Sequence, residues 1–213
     1  MQLEARDLVV VRGGRRVIED LSFSVTDGEV LLLTGRNGSG KTTLIRTLAG
    51  YLAAAAGSVS LTGFDSEREP REACHYVGHQ DANKASLTVA ENLRFWQRYL
   101  SIRDLPSPSE QDAQLGSALE RFGLDALADI PAGYLSAGQK RRLGLARLLV
   151  APRPLWLLDE PTVSLDRQST ALLAGIIDAH VAAGGLVVAA THLPLGLAAA
   201  RELRLGPVAR EAA

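Results

Sequence analysis

The stretch Val30-Leu31-Leu32-Leu33-Thr34-Gly35-Arg36-Asn37-Gly38-Ser39-Gly40-Lys41-Thr42-Thr43 decides the fold. It opens with a continuous apolar run, the composition of a strand buried on both faces of a parallel sheet. Gly35 to Thr42 then fit the spacing GxxxxGK[ST], and a helical segment from Lys41 to Ala49 follows until Gly50 stops it. Strand, glycine-rich turn and helix in that order make a phosphate-binding loop. Its glycines let backbone N–H groups point inward at phosphate oxygens, and the helix N-terminus adds partial positive charge. Lys41 is placed to reach the β and γ phosphates of a nucleoside triphosphate, and Thr42 to ligate magnesium. Gly35, Arg36, Asn37, Gly38, Ser39, Gly40, Lys41, Thr42 and Thr43 are therefore the candidate nucleotide-binding residues. The chain has three lysines against twenty arginines, so a generic basic position at 41 would have been arginine.

Downstream of this unit, Leu155-Trp156-Leu157-Leu158-Asp159-Glu160 is a second apolar strand, ending in two adjacent carboxylates. An α/β sheet places ligand groups at such strand ends. Asp159 suits magnesium, directly or through water, and Glu160 suits the general base for water attacking a γ-phosphate. Upstream, the first 30 or so residues alternate apolar and polar, as in Leu21-Ser22-Phe23-Ser24-Val25, with Gly13-Gly14 and Asp27-Gly28 as turn signals; this predicts a small antiparallel sheet. Short strands are expected at Val59 to Leu61 and His75 to Val77, with a loop over Ala53 to Ala56. Thr88 and Glu91 have capping-box spacing and open a helix carrying Leu93, Trp96 and Leu100. A polar break at Leu105-Pro106-Ser107-Pro108-Ser109 precedes a helix with Leu115, Leu119 and Phe122 on one face. Residues 86–150 thus read as a helical insertion, after which a strand–helix–strand alternation runs through Ser169 to Ala183 and Leu186 to Ala190.

Composition narrows the function. Lys and Arg total 23 against 24 Asp and Glu, a net charge of −1, which gives no blanket attraction to nucleic acid or anionic lipid. Hydrophobic residues at 46% exclude a disordered scaffold. With Cys74 as the single cysteine, an internal disulfide or cysteine-rich metal site is impossible, and the chain reads as intracellular. The N-terminus lacks the apolar stretch of a signal peptide, and the most apolar run, Gly184 to Ala200, is interrupted by Thr191, His192 and Pro194. Membrane work would require a partner.

Between the two phosphate-site elements stands Leu135-Ser136-Ala137-Gly138-Gln139-Lys140-Arg141-Arg142, where the sequence resembles the ATP-binding subunits of ABC transporters. Physically it is a capping box, with Ser136 as N-cap and Gln139 three residues on. The resemblance covers almost the whole chain. It implies a P-loop NTPase of ABC type: one α/β domain over 1–213, its mixed parallel-sheet core and N-terminal antiparallel β subdomain at 1–85 and 151–213, and an inserted α-helical subdomain at 86–150. ATP and Mg2+ are the implied ligands. Ser136, Gly138 and Gln139 would close over the γ-phosphate held by a second copy, so that a homodimer encloses two ATP. Gln80 would contact magnesium or water and report nucleotide state to integral membrane permease subunits. Ser164-Leu165-Asp166 would touch the opposite subunit, and His192 the γ-phosphate. The implied catalytic residues are Glu160, His192 and Gln80, and the metal-site residues Thr42, Gln80 and Asp159. Two departures stand out. Arg12-Gly13-Gly14 occupies the place of an aromatic that stacks on adenine, a role a guanidinium can also fill; Ala137 replaces a commoner glycine.

Tyr76-Val77-Gly78-His79-Gln80, Leu87 to Leu93, Leu135 to Gln139 and Thr191-His192-Leu193-Pro194-Leu195 resemble the haem-exporting branch that serves cytochrome c maturation, with the ATPase of another small ABC exporter as the alternative. A chain ending soon after Leu205-Gly206 resembles a minimal motor without a regulatory domain. The branch implies a peripheral site on the cytoplasmic face of the bacterial inner membrane, coupling of hydrolysis to release of a haem-loaded chaperone, and no nucleic-acid partner. Near-neutral charge opposes a soluble ATPase acting on DNA or ribosomes, and Glu160 with His192 opposes a non-hydrolysing scaffold.

Overall fold

The computed structural model describes residues 1–64, 70–100, 106–192 and 195–206. Leu105, Leu193 and Pro194, which belong to stretches quoted above, lie outside them. Strands β1 (Gln2–Arg12), β2 (Arg15–Thr26) and β4 (Ala56–Thr62) form an antiparallel sheet in the order β2-β1-β4. The alternation in β1 sets Leu3, Ala5, Leu8 and Val10 into the core, and Gly13 and Gly14, both at positive φ, turn the hairpin. β4 is longer than the expected strand at Val59 to Leu61. Ala56 joins it because the antiparallel ladder with β1 extends to the Val9↔Ala56 pair, whatever the side chain there.

The second sheet is parallel, in the order β5-β6-β7-β3-β8: β3 (Val30–Thr34), β5 (Cys74–Val77), β6 (Leu155–Asp159), β7 (Leu186–Ala190) and β8 (Arg201–Arg204). Every residue of β6 and β7 is buried, as apolar runs sandwiched between layers must be. One face packs against α1 (Lys41–Leu48) and the antiparallel sheet through Leu31, Leu33, Leu44, Leu157 and Val188. The other packs through Leu158, Trp156 and Val187 on the helical side, where α3 (Val89–Leu100), α4 (Pro108–Arg121), α5 (Ala137–Val150) and α6 (Arg167–Ala182) lie; α2 (Pro70–Ala73) is a single turn before β5.

Two helix starts differ from the sequence expectation for a capping reason. Pro108 and Ser109 belong to α4, because Ser107 and Glu110 close a capping box and proline is tolerated in the first turn. Helix α6 begins two residues before Ser169, because Asp166 caps it by accepting from the Ser169 N–H at 2.7 Å. The register sets the stage for function: Leu33 faces Ala190, which faces Asp159, so the carboxyl ends of β3, β7 and β6 finish level. In a parallel sheet that edge is where ligands bind.

Candidate nucleotide site

The phosphate loop leaves β3 at Gly35, whose φ of 139° and close surroundings demand glycine: a Cβ there would lie 2.5 Å from the Leu205 carbonyl oxygen and 2.8 Å from Ser39 Oγ. The loop then turns on the Ser39 N–H to Arg36 O bond at 3.1 Å, with Arg36, Asn37 and Gly38 exposed at its crest. Gly40, the N-cap of α1, packs beside Val17 of the β2 hairpin arm. That helix has no side-chain cap and no acid in its first turn, so its leading N–H groups and dipole are available to an anion. Lys41 is buried, and its Nζ donates to Gly35 O at 2.8 Å and Arg36 O at 3.2 Å, keeping the ammonium within the loop. Thr43, one residue past Thr42, is buried.

Thr42 Oγ1 donates to Asp159 Oδ1 at 3.0 Å, joining residues 117 positions apart. Burial raises the Asp159 pKa, with the neighbouring Glu160 charge adding to the effect and the Thr42 hydroxyl opposing it. Asp159 Oδ2 and Ser39 Oγ are buried with no hydrogen-bond partner among the described residues. Unmatched buried oxygens beside a carboxylate and a hydroxyl suit a hard cation that takes few protein ligands and shares substrate phosphates. Among the described residues no group of three or more His, Cys, Asp and Glu could hold a metal by itself.

One residue on, Glu160 adopts a φ of 50°, a left-handed conformation costly for a residue with a Cβ. Its N–H donates to Ala190 O at 2.8 Å, and its Oε2 lies 2.8 Å from His192 Nδ1. The turn thus aims the carboxylate along the sheet edge toward His192, two residues past the end of β7. His192 is exposed, and Thr191 before it is buried.

Ser136 and Gln139 form the reciprocal cap of α5, at 3.3 Å and 2.8 Å, and Gly138 lies against the Ser164 carbonyl of the loop before α6. Ser136 is exposed at that helix start. Arg12 is exposed at the end of β1 beside the hairpin turn. Gln80 is exposed just beyond β5, on the rim of a groove of about 780 Å³ whose lining includes Tyr51, Tyr76, Trp96, Tyr99, Arg147 and Arg153. Its walls are pinned by arginines. Arg153 donates to the Leu100 carbonyl at 2.9 Å and the Cys74 carbonyl at 3.1 Å, and Arg147 lies over the Trp96 ring at 4.7 Å and donates to Tyr76 O. With Phe95, stacked on Tyr99, five of the aromatic residues in a chain with two Trp, four Tyr and four Phe gather here.

Some contributors carry no sequence signal. His79 lies within electrostatic reach of Asp159 and lowers its pKa, though it matches no catalytic position in the sequence. Arg141 is buried and bonded to the backbone of two segments, Gly78 and the run 159–161. Cys74 is buried in β5 with its thiol pushed up to about 11 by burial, which leaves it unreactive.

A phosphate loop level with a strand-end acidic pair, and a capped helix presenting Ser136 and Gln139 from an inserted helical layer, define an ATPase of the ATP-binding cassette class. The family model for ABC transporters matches residues 18–163, and the chain belongs to that family. Among its relatives is the cytochrome c biogenesis ATP-binding export protein CcmA of Nitrobacter winogradskyi, 51% identical over 209 residues, 98% of this chain and 100% of that one. The protein of the same name from Agrobacterium fabrum is 48% identical over 207 residues, 96% and 95% of the two chains. A solved ATP-binding subunit of an ABC transporter superposes with a TM-score of 0.79 at 26% identity, covering 91% of this chain and 80% of that one. The chain is thus an ATP-binding, ATP-hydrolysing subunit of a membrane-associated export system. No helix among the described residues is long and apolar enough to cross a membrane.

Proposed function

We propose that this chain is the motor of haem export in cytochrome c maturation, working as a homodimer that encloses two MgATP and drives integral membrane permease subunits from the cytoplasmic face of the bacterial inner membrane. The Glu160–His192 pair, 2.8 Å apart and level with the end of the phosphate loop, is the observation that carries the reading. Lys41 and the N–H groups opening α1 bind the triphosphate. Thr42 and Asp159 would hold magnesium, with Gln80 near it, and the ion would neutralise charge on the phosphates when bound. Glu160 accepts a proton from water as the water oxygen bonds to the γ-phosphorus. The bond from that phosphorus to the β–γ bridging oxygen breaks, and ADP, phosphate and a proton leave. His192 orients the carboxylate and contacts the γ-phosphate. Ser136, Gly138 and Gln139 meet the nucleotide of the opposite copy with a helix N-terminus, and Ser164 and Asp166 lie along the same interface. Arg12 stacks on adenine.

The groove beside Gln80 supports a seat for the permease, because exposed aromatics around a concave, arginine-lined floor are the makings of an interface hot spot. The identity to relatives named for cytochrome c biogenesis supports the cargo pathway. Deleting the gene should abolish covalent haem on periplasmic c-type cytochromes while b-type haem persists, and a Glu160→Gln copy should not restore it. Haem-stained gels with normal c-type bands in the deletion strain would overturn the maturation assignment.

A further inference from the structure

Arg141 sits at the centre of the molecule with its side chain 3% exposed, and every N–H it owns is accounted for. A guanidinium has five donors in a rigid planar fork. Here Nε donates to Pro161 O at 3.0 Å, and Nη1 to Gly78 O at 2.9 Å and Asp81 Oδ1 at 2.8 Å. Nη2 donates to Glu160 O at 2.6 Å and Asp159 O at 3.4 Å. Three segments meet on one cation: the helix opened by Ser136, the carbonyls running 159–161, and the turn 78–81 that carries Gln80.

Two further features show that the join is specific. Glu160 is strained at φ 50°, and such a conformation persists only where its surroundings over-determine it. Arg141 holds its carbonyl, which also accepts from the Val163 N–H at 3.3 Å, while Ala190 holds its N–H and His192 meets its carboxylate, so the guanidinium is one of several restraints on the direction of the Glu160 side chain. One turn along α5, Gly144 makes room for Asp81: a Cβ there would stand 3.0 Å from Asp81 Cβ and 3.2 Å from its Oδ1. The acid is seated between Arg141 and Gly144, next in sequence to Gln80.

We propose that Arg141 is a positioning residue for hydrolysis, which fixes the strained turn that aims Glu160 and, through Asp81, makes that aim depend on the segment lining the groove. The proposal rests on Glu160 being the base. A shift of the 78–81 turn pulls on Asp81 and Gly78 O, rotates the guanidinium, and withdraws its bonds from 159–161. Groove and carboxylate are thereby linked by one rigid fork instead of a chain of side chains. Lysine has three donors on a point charge and cannot span three segments.

The test uses the transporter purified with its membrane partners, with turnover normalised to titrated nucleotide sites so that misfolded protein is not counted. Arg141→Lys should lower kcat at least tenfold while KM for ATP stays within about twofold. Asp81→Ala, at a site 23% exposed, should lower kcat three- to tenfold with KM unchanged. Gly144→Ala, which leaves every charge in place, should do the same more weakly. Because all act through one fork, Asp81→Ala should add little to Arg141→Lys. Wild-type kcat in Arg141→Lys and Asp81→Ala overturns the clamp, as does a rise in KM at constant kcat or full additivity of the pair. Glu160→Gln runs alongside: if it turns over normally, the general-base reading has failed; if it is inactive while the clamp variants are normal, only the clamp has.

Discussion

The phosphate loop and the strand-end cluster around Asp159 and Glu160 present polar groups to the same ligand by opposite means. The loop is local. Its bonds, Ser39 N–H to Arg36 O and Lys41 Nζ to Gly35 O, span three and six residues, and its charge comes from the helix it opens. The cluster is assembled from afar: Thr42 to Asp159 spans 117 residues, Arg141 to Gly78 spans 63, and His192 to Glu160 spans 32. A local site is rigid by construction and suits binding. A site that exists only while several segments are docked can be made or unmade by moving one of them, which suits a step that must be gated.

The largest contrast should appear with Lys41→Ala. Binding belongs to the loop, so removing its one buried ammonium should cost nearly all of the stabilisation by MgATP. For a ligand at 100 times its dissociation constant that stabilisation is about 2.7 kcal/mol, several degrees of melting temperature. Thermal denaturation with and without MgATP reads it directly, and an undiminished ligand shift in Lys41→Ala would erase the division of labour between the two regions.

The distributed half carries a smaller, pH-dependent effect. His75 on β5 is buried, and its Nε2–H donates to Ala151 O at 2.6 Å. Burial above all depresses its pKa to about 3, against an ordinary value near ~6.5 in the unfolded chain. Above pH ~6.5 both states are neutral and the residue leaves stability unchanged. As pH falls toward 3 the unfolded chain takes up a proton that the folded one refuses, so stability falls by up to about 1.4 kcal/mol per pH unit, or roughly 2 kcal/mol by pH 5. His75→Gln should flatten this loss, measured as the difference in denaturant midpoint between pH 7.5 and pH 5. An unchanged slope in the variant would exclude His75 as the acid-sensitive group of the distributed half.

The same division explains what could be read without coordinates. Val30 to Thr43 declares a strand, a loop and a helix because burial, glycine and lysine each leave a residue type at a fixed spacing. Leu155 to Glu160 is legible for the same reason. Strand β8 is not: Arg201-Glu202-Leu203-Arg204 has a single apolar residue, and its place beside β3 rests on backbone pairing that any side chain allows. Arg141 is equally silent, since four of its five acceptors are backbone carbonyls that every residue possesses. In sequence it is one arginine among twenty. The left-handed turn at Glu160 escapes as well, because the usual signal for positive φ is glycine or asparagine and here tertiary bonds impose it on an acid.

Binding and hydrolysis are separable in this molecule, the first held by the loop and the second by Glu160. Single-turnover hydrolysis of pre-bound γ-labelled ATP by the Glu160→Gln transporter tests it most directly, since the amide keeps the shape of the carboxylate and removes its basicity. ATP should be retained at wild-type affinity, with release of labelled phosphate slowed at least a hundredfold. Phosphate released at the wild-type rate, or ATP no longer retained, would contradict it.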